Sequence, residues 1–151
     1  MINLAIRITL ELIARFEGCS LTPYLCPAGI PTIGYGSTRY LDGRAVQLTD
    51  KAITQSYAQH LLLMSVYRQY MPAVLRLCPG ITDARRLAAI IDFTYNLGVG
   101  KLQASTLRKR INDSRWEDVP AELRKWVWAG GRKMRGLERR REAEVRLVEL
   151  A

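Results

Sequence analysis

The sequence predicts an α+β fold that is mainly helical, in which a small irregular β-sheet lobe, a long connecting helix and a helical C-terminal lobe follow one another. Three observations support this prediction. Apolar residues recur with a helical period over most of the chain. Prolines and glycines instead punctuate short runs rich in Thr, Ile and Tyr at residues 20–46, as in a small sheet. A length of 151 residues suffices for one sizeable core or for two small lobes that share a helix.

The first predicted element is a helix over residues 2–15. Its polar residues recur at every fourth position and nearly all others are apolar, which is typical of a mostly buried helix with one solvent-facing stripe. These polar residues are Asn3, Arg7, Glu11 and Arg15. Because they interrupt the apolar stretch, residues 1–16 match neither a membrane span nor a secretory signal peptide, and we expect synthesis in the cytosol without an anchor.

A small lobe is expected over about residues 16–50, with the only β structure of the chain at 20–46. Thr49 or Asp50 then provides an N-cap for the connecting helix, which we expect over about 50–71. Such a helix is long enough to join two lobes of a single domain.

The helical lobe is expected over about residues 72–151, together with the N-terminal helix. Thr82 can cap a helix that Gly98 terminates. Shorter helices are predicted at 105–112 and 120–129, and the last helix begins near Leu137. On that helix Arg140 with Glu144, and Glu142 with Arg146, have the spacing of surface ion pairs.

Composition limits the classes of partner. The formal net charge of +9 favours an anionic partner such as nucleic acid, an acidic membrane surface or an anionic cell wall. The chain has three cysteines and one histidine, His60, with no spacing typical of a zinc site. We therefore expect neither a metal nor a cofactor.

The most informative segment is residues 16–38. Glu17 precedes Cys26 by nine positions and Cys26 precedes Thr32 by six, in a segment that becomes rich in glycine. An acid, a base or nucleophile and a hydroxyl that holds water are the groups a hydrolase needs, and glycines let a ligand approach the backbone closely. The segment therefore indicates a hydrolytic active site.

This pattern resembles the bacteriophage lysozymes, or endolysins, of glycoside hydrolase family 24, in which a Glu, eight residues, an Asp or Cys, five residues and a Thr recur. Glu17, Cys26 and Thr32 fit it without a gap. Blocks at 32–36, 93–100 and 105–107 are also similar to the family, and the block at 129–142 is similar to its subgroup in lambda-like phages. The resemblance covers almost the whole chain, in order, and implies a two-lobed, mainly helical lysozyme-like fold.

By this resemblance the protein is an endolysin that hydrolyses the β(1→4) bond between N-acetylmuramic acid and N-acetylglucosamine in peptidoglycan, causing host lysis at phage release. Its implied partners are peptidoglycan glycan strands and an anionic outer-membrane or wall surface. It is expected to act as a monomer in the periplasm, after the membrane is permeabilised.

Glu17 corresponds to the general acid of the family. A glutamate in this role must carry a proton near neutral pH, which an apolar setting favours, and Phe16, Ile13 and Tyr35 are candidates to supply that setting. The structural alternative is a solvated carboxylate at a helix end.

Cys26 replaces the second carboxylate that glycosidases usually carry. Its thiolate can act as a base towards water or attack the sugar directly, whereas a buried free cysteine is simply a small apolar residue. Thr32 can bond the attacking water or hold the second catalytic side chain, although a strand threonine often has no such role.

Other residues are assigned mainly by the resemblance. Arg140 or Arg141 is expected to pair with Glu17, which would favour the ionised carboxylate. Candidate sugar-binding residues, in addition to these two arginines, are Tyr35, Asn96, Ser105 and Thr106. A disulfide between Cys19 and Cys26 would remove the Cys26 thiol and act as a redox switch.

Two other classes compete with an enzyme. A nucleic-acid-binding module would explain the basic cluster near the C-terminus, but few aromatics lie among these charges and no RNA-binding or zinc-finger motif accompanies them, so we expect no nucleic acid. A peptidoglycan-binding or basic membrane-active protein without glycosidase activity is the second alternative. In that case the last helix would present its apolar side to lipid instead of packing it on the core.

Overall fold

The computed structural model describes residues 1–151. Eight α-helices and two small antiparallel sheets make up the fold. The helices are α1 Ile2–Glu17, α2 Gln55–Ser65, α3 Met71–Leu77, α4 Ala84–Leu97, α5 Val99–Gln103, α6 Thr106–Asn112, α7 Val119–Arg124 and α8 Arg135–Glu149. The strands are β1 Ser20–Leu25, β2 Pro31–Gly34, β3 Trp128–Ala129 and β4 Arg132–Lys133. The predicted mainly helical fold is confirmed.

Helix α1 is present as predicted, but it is less buried than the apolar pattern suggested. Only Ala5, Thr9, Leu12 and Ile13 are fully buried. The helix packs mainly on α4 along one side, so Ile2 and Leu4 remain exposed to solvent. None of the helices in the fold combines the length and apolar character needed to cross a lipid bilayer.

Strands β1 and β2 form the predicted irregular sheet, with Tyr24 opposite Thr32 and Leu25 opposite Pro31. A register shift between Ser20 and Tyr24 marks a bulge in this pair. Behind the sheet lies a small core of four buried side chains. These are Ile33, Tyr40, Val46 and Leu61, of which Leu61 belongs to α2.

The connecting helix begins later and ends later than the sequence suggested. Thr54, whose hydroxyl accepts the Tyr57 amide hydrogen, is its N-cap, so neither Thr49 nor Asp50 has this role. The helix passes through a π-helical turn at Val66–Tyr70 and continues as α3 to Leu77. In that turn the Met71 amide bonds to the carbonyl of Val66, five residues back, and the wider spacing accommodates Pro72 without ending the helix.

Helix α4 is the centre of the helical lobe. Asp83 caps it, one residue after the predicted Thr82, and Gly98 terminates it as predicted. Nine of its fourteen residues are buried, because α1 and α8 pack on it from two sides. A single core of 24 buried residues surrounds it, and the Val145 and Val148 side chains of α8 belong to this core.

The predicted helix at 120–129 is wrong in its second half, and residues 20–46 are not the only β region. Helix α7 ends at Arg124, and β3 and β4 form a hairpin. Gly130 and Gly131 occupy its two-residue turn with φ values of 57° and 74°. Two consecutive positive φ angles are the signature of a type I′ turn, which glycine adopts without strain.

The predicted surface ion pairs on α8 are also wrong. Arg140, Arg141 and Glu144 are buried and find partners on other elements or on another turn. Glu142 bonds to Arg124 of α7 with both carboxylate oxygens, at 2.7 and 3.2 Å. Packing of α8 against α4 and α7 therefore decides the partners of Arg140 and Glu142, whereas Arg141 and Glu144 pair along the helix at a spacing of three residues.

Candidate active site

Glu17 is the last residue of α1 and lies where the helical lobe meets the small lobe. Gly18 follows with a φ of 67°, which ends the helix and turns the chain towards β1. The Glu17 side chain retains 26 % of its accessible surface and is therefore open to a ligand.

An arginine side chain forms an ion pair with Glu17. The Arg140 Nη1 donates to Glu17 Oε1 at 2.6 Å, so of the two predicted arginines Arg140 is the one that pairs with Glu17. Asp92 fixes the same guanidinium through two hydrogen bonds, from Nε to Oδ2 at 2.9 Å and from Nη2 to Oδ1 at 2.8 Å. Because Asp92 is fully buried, Arg140 has little freedom and presents Nη1 in a fixed direction.

Three phenols lie near enough to Glu17 for its charge to act on them. Burial raises the pKa of Tyr24, Tyr70 and Tyr95, and the negative charge of Glu17 raises each of them further, which places all three phenols near this charge. The Phe16 ring lies 5.6 Å from the Arg140 guanidinium carbon.

Cys26 lies in the turn between β1 and β2. Its amide donates to the Ile30 carbonyl at 3.0 Å and its own carbonyl accepts the Gly29 amide at 2.8 Å, so the turn is closed on both sides of the residue. A hydrogen bond from the Ile30 amide lowers the pKa of the half-buried Cys26 thiol, with smaller contributions from the Ala28 amide and the Thr32 hydroxyl. The turn therefore stabilises a thiolate at Cys26.

Thr32 lies in β2 with its side chain buried beneath Cys26. Its Oγ1 donates to the Ile30 carbonyl at 2.8 Å, and the same hydroxyl contributes a hydrogen bond to Cys26. A hydroxyl has a single proton, so it can serve only one of these acceptors at a time. Thr32 thus supports both the turn and the thiol. The charges of Glu17 and Cys26 both raise the pKa of Tyr24, in addition to the effect of burial.

The predicted sugar-binding residues fall into two groups. Four of them are engaged within the protein: the Tyr35 hydroxyl accepts from Gln55, Ser105 caps α6, Arg140 bonds to Glu17 and Asp92, and the buried Arg141 bonds to Asn96 and Glu144. Asn96 and Thr106 are more available. The Asn96 amide nitrogen makes no hydrogen bond within the protein, and Thr106 is exposed at the start of α6.

Cys19, Cys26 and Cys78 are free thiols. Cys19 is exposed, and after burial its thiol is the main cause of the raised pKa of Tyr35. Cys19 precedes β1 and Cys26 follows it, so the two residues lie at opposite ends of this strand. The predicted pairing of Cys19 with Cys26 remains a prediction.

Sequence reasoning missed the buried partner of Arg140. Asp92 is the only acid in the apolar run 87–93, and buried carboxylates are almost always paired, so this position alone could have indicated an internal arginine partner. A depression of about 640 Å³ between Tyr40 and Tyr57 lies away from Glu17. Asp50 within it is already satisfied by Tyr40, Arg44 and the Gln47 amide, so we place the chemistry at Glu17.

Comparison with known proteins agrees with this geometry. The model of the phage lysozyme family matches residues 14–144, which include Glu17, Cys26, Thr32 and Arg140. The chain is 34% identical to a SAR-endolysin of Bacteriophage PS119 over 131 residues, covering 85% of this chain and 73% of that protein. It is 32% identical to an endolysin of Acyrthosiphon pisum secondary endosymbiont phage 1, covering 94% and 95% of the two chains.

Among solved structures, the endolysin from Escherichia coli O157:H7 phage FAHEc1 superposes with a TM-score of 0.81 at 34% identity, over 94% of this chain and 90% of that one. Sequence and fold therefore agree, and the chain belongs to the phage lysozyme family.

Proposed function

We propose that this protein is a muramidase of the endolysin type, which hydrolyses the β(1→4) bond between N-acetylmuramic acid and N-acetylglucosamine with Glu17 as general acid. The observation that supports this most is the position of Glu17 at the junction of the two lobes, partly open to solvent and fixed by Arg140. In this role Glu17 gives its proton to the glycosidic oxygen as the bond to the sugar C1 breaks.

Release of soluble fragments from dye-labelled peptidoglycan sacculi tests this role. Glu17→Gln keeps the size of the side chain and its acceptor for Arg140 but has no acidic proton to give. We expect its rate to fall by a factor of about 10²–10⁴. Glu11→Gln on the exposed side of α1 is the matched control and should keep the wild-type rate. A Glu17→Gln variant that releases dye at the wild-type rate would exclude Glu17 as the acid.

Cys26 acts on the opposite side of the sugar, either as a base that takes a proton from water or as a nucleophile. A base gives inversion at C1. A nucleophile forms a thioglycosyl bond to C1, which water then breaks with Glu17 accepting its proton, and the result is retention. The anomer formed first, followed by NMR during digestion, decides between the two.

Substitutions of Cys26 distinguish a chemical role from a packing role. Cys26→Ser has a hydroxyl that is far less acidic than the thiol and should lose activity, whereas Cys26→Asp restores an ionised group and should regain part of it. Equal activity of Cys26→Ser and the wild type would leave Cys26 with a structural or regulatory role.

Asn96 and Thr106 are proposed to bond sugar oxygens, because both retain polar groups that make no hydrogen bond within the protein.

We expect the protein to act as a monomer. We also expect it to act on the wall after the cytoplasmic membrane is permeabilised. Its relatives named endolysins support this place of action. Cells that express the protein should then lyse only when a membrane-permeabilising agent is added.

The pair Cys19 and Cys26 is proposed as a redox switch, since both thiols are free and at least partly accessible to solvent. An oxidant should inactivate the wild type reversibly and leave Cys19→Ser active. Equal inactivation of both proteins would exclude this pairing.

A further inference from the structure

A buried chain of charged side chains continues behind Glu17 and Arg140. Asp92 and Glu144 are fully buried, and each bonds to an arginine: Asp92 to Arg140, and Glu144 Oε1 to Arg141 Nη2 at 2.7 Å. The Trp126 carbonyl accepts from Arg141 Nη1 and Asn96 Oδ1 accepts from Nη2, whereas Nε is buried without a partner. The catalytic scheme above uses Glu17 and Arg140 but assigns no role to Glu144.

One oxygen of Glu144 is unaccounted for if both carboxyl groups are ionised. Its Oε2 is buried and accepts no hydrogen bond from any donor. Leaving such an acceptor unsatisfied away from water is costly. A proton on Oε2 resolves this, because a protonated Oε2 becomes a donor and the neighbouring Asp92 carboxylate, which raises the pKa of Glu144, can accept from it.

The hydrogen bonds point to Glu144, and not Asp92, as the group that carries this proton. Both oxygens of Asp92 accept from Arg140. In Glu144 only Oε1 accepts a hydrogen bond, from Arg141, and Oε2 has no partner.

We propose that Glu144 carries a proton on Oε2 and donates it to Asp92, so that the pair holds a single negative charge that positions Arg140 against Glu17. Glu144 is thus a positioning residue, and this role in catalysis rests on the proposed function of Glu17. Burial raises the pKa of Glu144 well above its ordinary value, and Asp92 raises it further, whereas Arg141 opposes the shift. Helix α7 adds no competing charge, because the Glu122 carboxylate is paired with Lys125.

Infrared spectroscopy of the full-length protein tests the proton directly and needs no substrate. Near neutral pH we expect the carbonyl band of a protonated carboxyl group, which shifts when glutamate is labelled with carbon-13. The band should persist in Glu17→Gln and disappear in Glu144→Gln. Absence of a glutamic-acid band from the wild type would overturn the proposal, even if Glu144→Gln did not fold.

The pH dependence of stability gives a second test. The folded protein keeps the Glu144 proton where the unfolded chain has released it, so rising pH favours unfolding between the unfolded and folded pKa values of Glu144. From about pH 5.5 towards neutral, the folding equilibrium constant of the wild type should fall by up to about tenfold per pH unit relative to that of Glu144→Gln. Parallel curves would contradict the proposal.

Glu142→Gln is the matched control on the same helix. The hydrogen bond from Arg124 lowers the pKa of Glu142, so its contribution to stability is already complete above the ordinary glutamate range. The Glu142→Gln curve should therefore run parallel to that of the wild type over the same pH range.

Activity measurements distinguish a positioning role of Glu144 from a packing role. Glu144→Gln keeps a donor for Asp92 and should retain sacculus hydrolysis within a few-fold, whereas Glu144→Leu, of similar size, should lose about tenfold or more in kcat with little change in KM. Equal loss in both variants would contradict the donor role. An infrared band that persists in an inactive wild type would instead reject the proposed function and leave the proton assignment intact.

Discussion

At the scale of single residues, the site depends on contacts that stabilise charge in unusual places. Cys26 lies in a turn whose amides face its sulfur, and Arg140 is almost completely enclosed between two carboxylates. The type of residue at positions 17, 26 and 32 was evident from the sequence, because their spacing follows a known pattern. The partners were not evident, since Asp92 is 48 residues from Arg140 and Glu17 is 123 residues from it.

The Cys26 thiol should ionise more readily than an ordinary thiol. We expect the pH midpoint of its alkylation to lie below that of an ordinary free thiol, and to rise partway back in Thr32→Val, which keeps the shape but removes one donor. Mass spectrometry of the alkylated peptides measures this at each cysteine. Cys78 is the internal control, because burial raises its pKa to about 11 and keeps it unreactive near neutral pH. An unchanged midpoint in Thr32→Val would show that the Thr32 hydroxyl does not lower the pKa of the Cys26 thiol.

Arg140 should contribute strongly to stability because Asp92 has no other cation. Arg140→Met leaves a buried carboxylate without its partner, and we expect a loss of about 3–5 kcal/mol in urea unfolding. Adding Asp92→Asn removes the orphaned charge, so the double variant should recover part of that loss. Strictly additive losses would indicate that the two side chains do not interact as the structure has them.

At the scale of elements, local sequence signals located most helices but misplaced their ends. The connecting helix was predicted from Thr49 or Asp50, whereas Thr54 caps it, because several residues near this point are acceptable caps and only the tertiary fold selects one. The β3–β4 hairpin was missed although Gly130-Gly131 is a known signal for a two-residue turn. The helix predicted at 120–129 was extended past the end of α7 at Arg124 and over the strand β3.

The cap can be tested with two threonines. Thr54→Ala removes the hydroxyl that accepts the Tyr57 amide and should cost about 1 kcal/mol of unfolding free energy. Thr49→Ala, five residues earlier and without such a bond, should cost little. Equal effects of the two substitutions in denaturant unfolding would place the cap elsewhere.

The hairpin turn can be tested in the same way. A side chain at Gly131 meets no neighbouring atom but must adopt a φ of 74°, so Gly131→Ala should cost about 1–2 kcal/mol through backbone strain alone. Gly80→Ala also meets no neighbour, and its backbone is outside the left-handed region, so it should be neutral or slightly stabilising. A neutral Gly131→Ala would contradict the type I′ turn.

At the scale of the whole molecule, the two-lobed plan was predictable and the distribution of charge was not. The sequence contains a basic cluster near the C-terminus, but Arg140 and Arg141 turn inwards and serve the site, so this cluster is not one continuous surface. Helical spacing predicts which residues share a face of the helix. It does not predict whether that face packs on another element or faces solvent. Val148 packs in the core as expected, whereas Leu150 remains exposed.

The net charge of +9 should still act on an anionic wall. Binding of the Glu17→Gln variant to sacculi should weaken several-fold as salt rises from about 50 to 300 mM, because salt screens attraction between exposed charges. A sedimentation assay measures the bound fraction. Salt-independent binding would mean that uncharged sugar contacts dominate.

If the protein cleaves the glycan at muramic acid with Glu17 as its acid, the new chain ends must carry N-acetylmuramic acid, and their identity can be measured. Purified protein is incubated with sacculi under reducing conditions, the released fragments are reduced with borohydride, and mass spectrometry identifies the reduced sugar. We expect reduced N-acetylmuramic acid from the wild type and from Glu11→Gln, and none from Glu17→Gln. Reduced N-acetylglucosamine, cut peptide bonds, or intact sacculi with bound wild-type protein would contradict it.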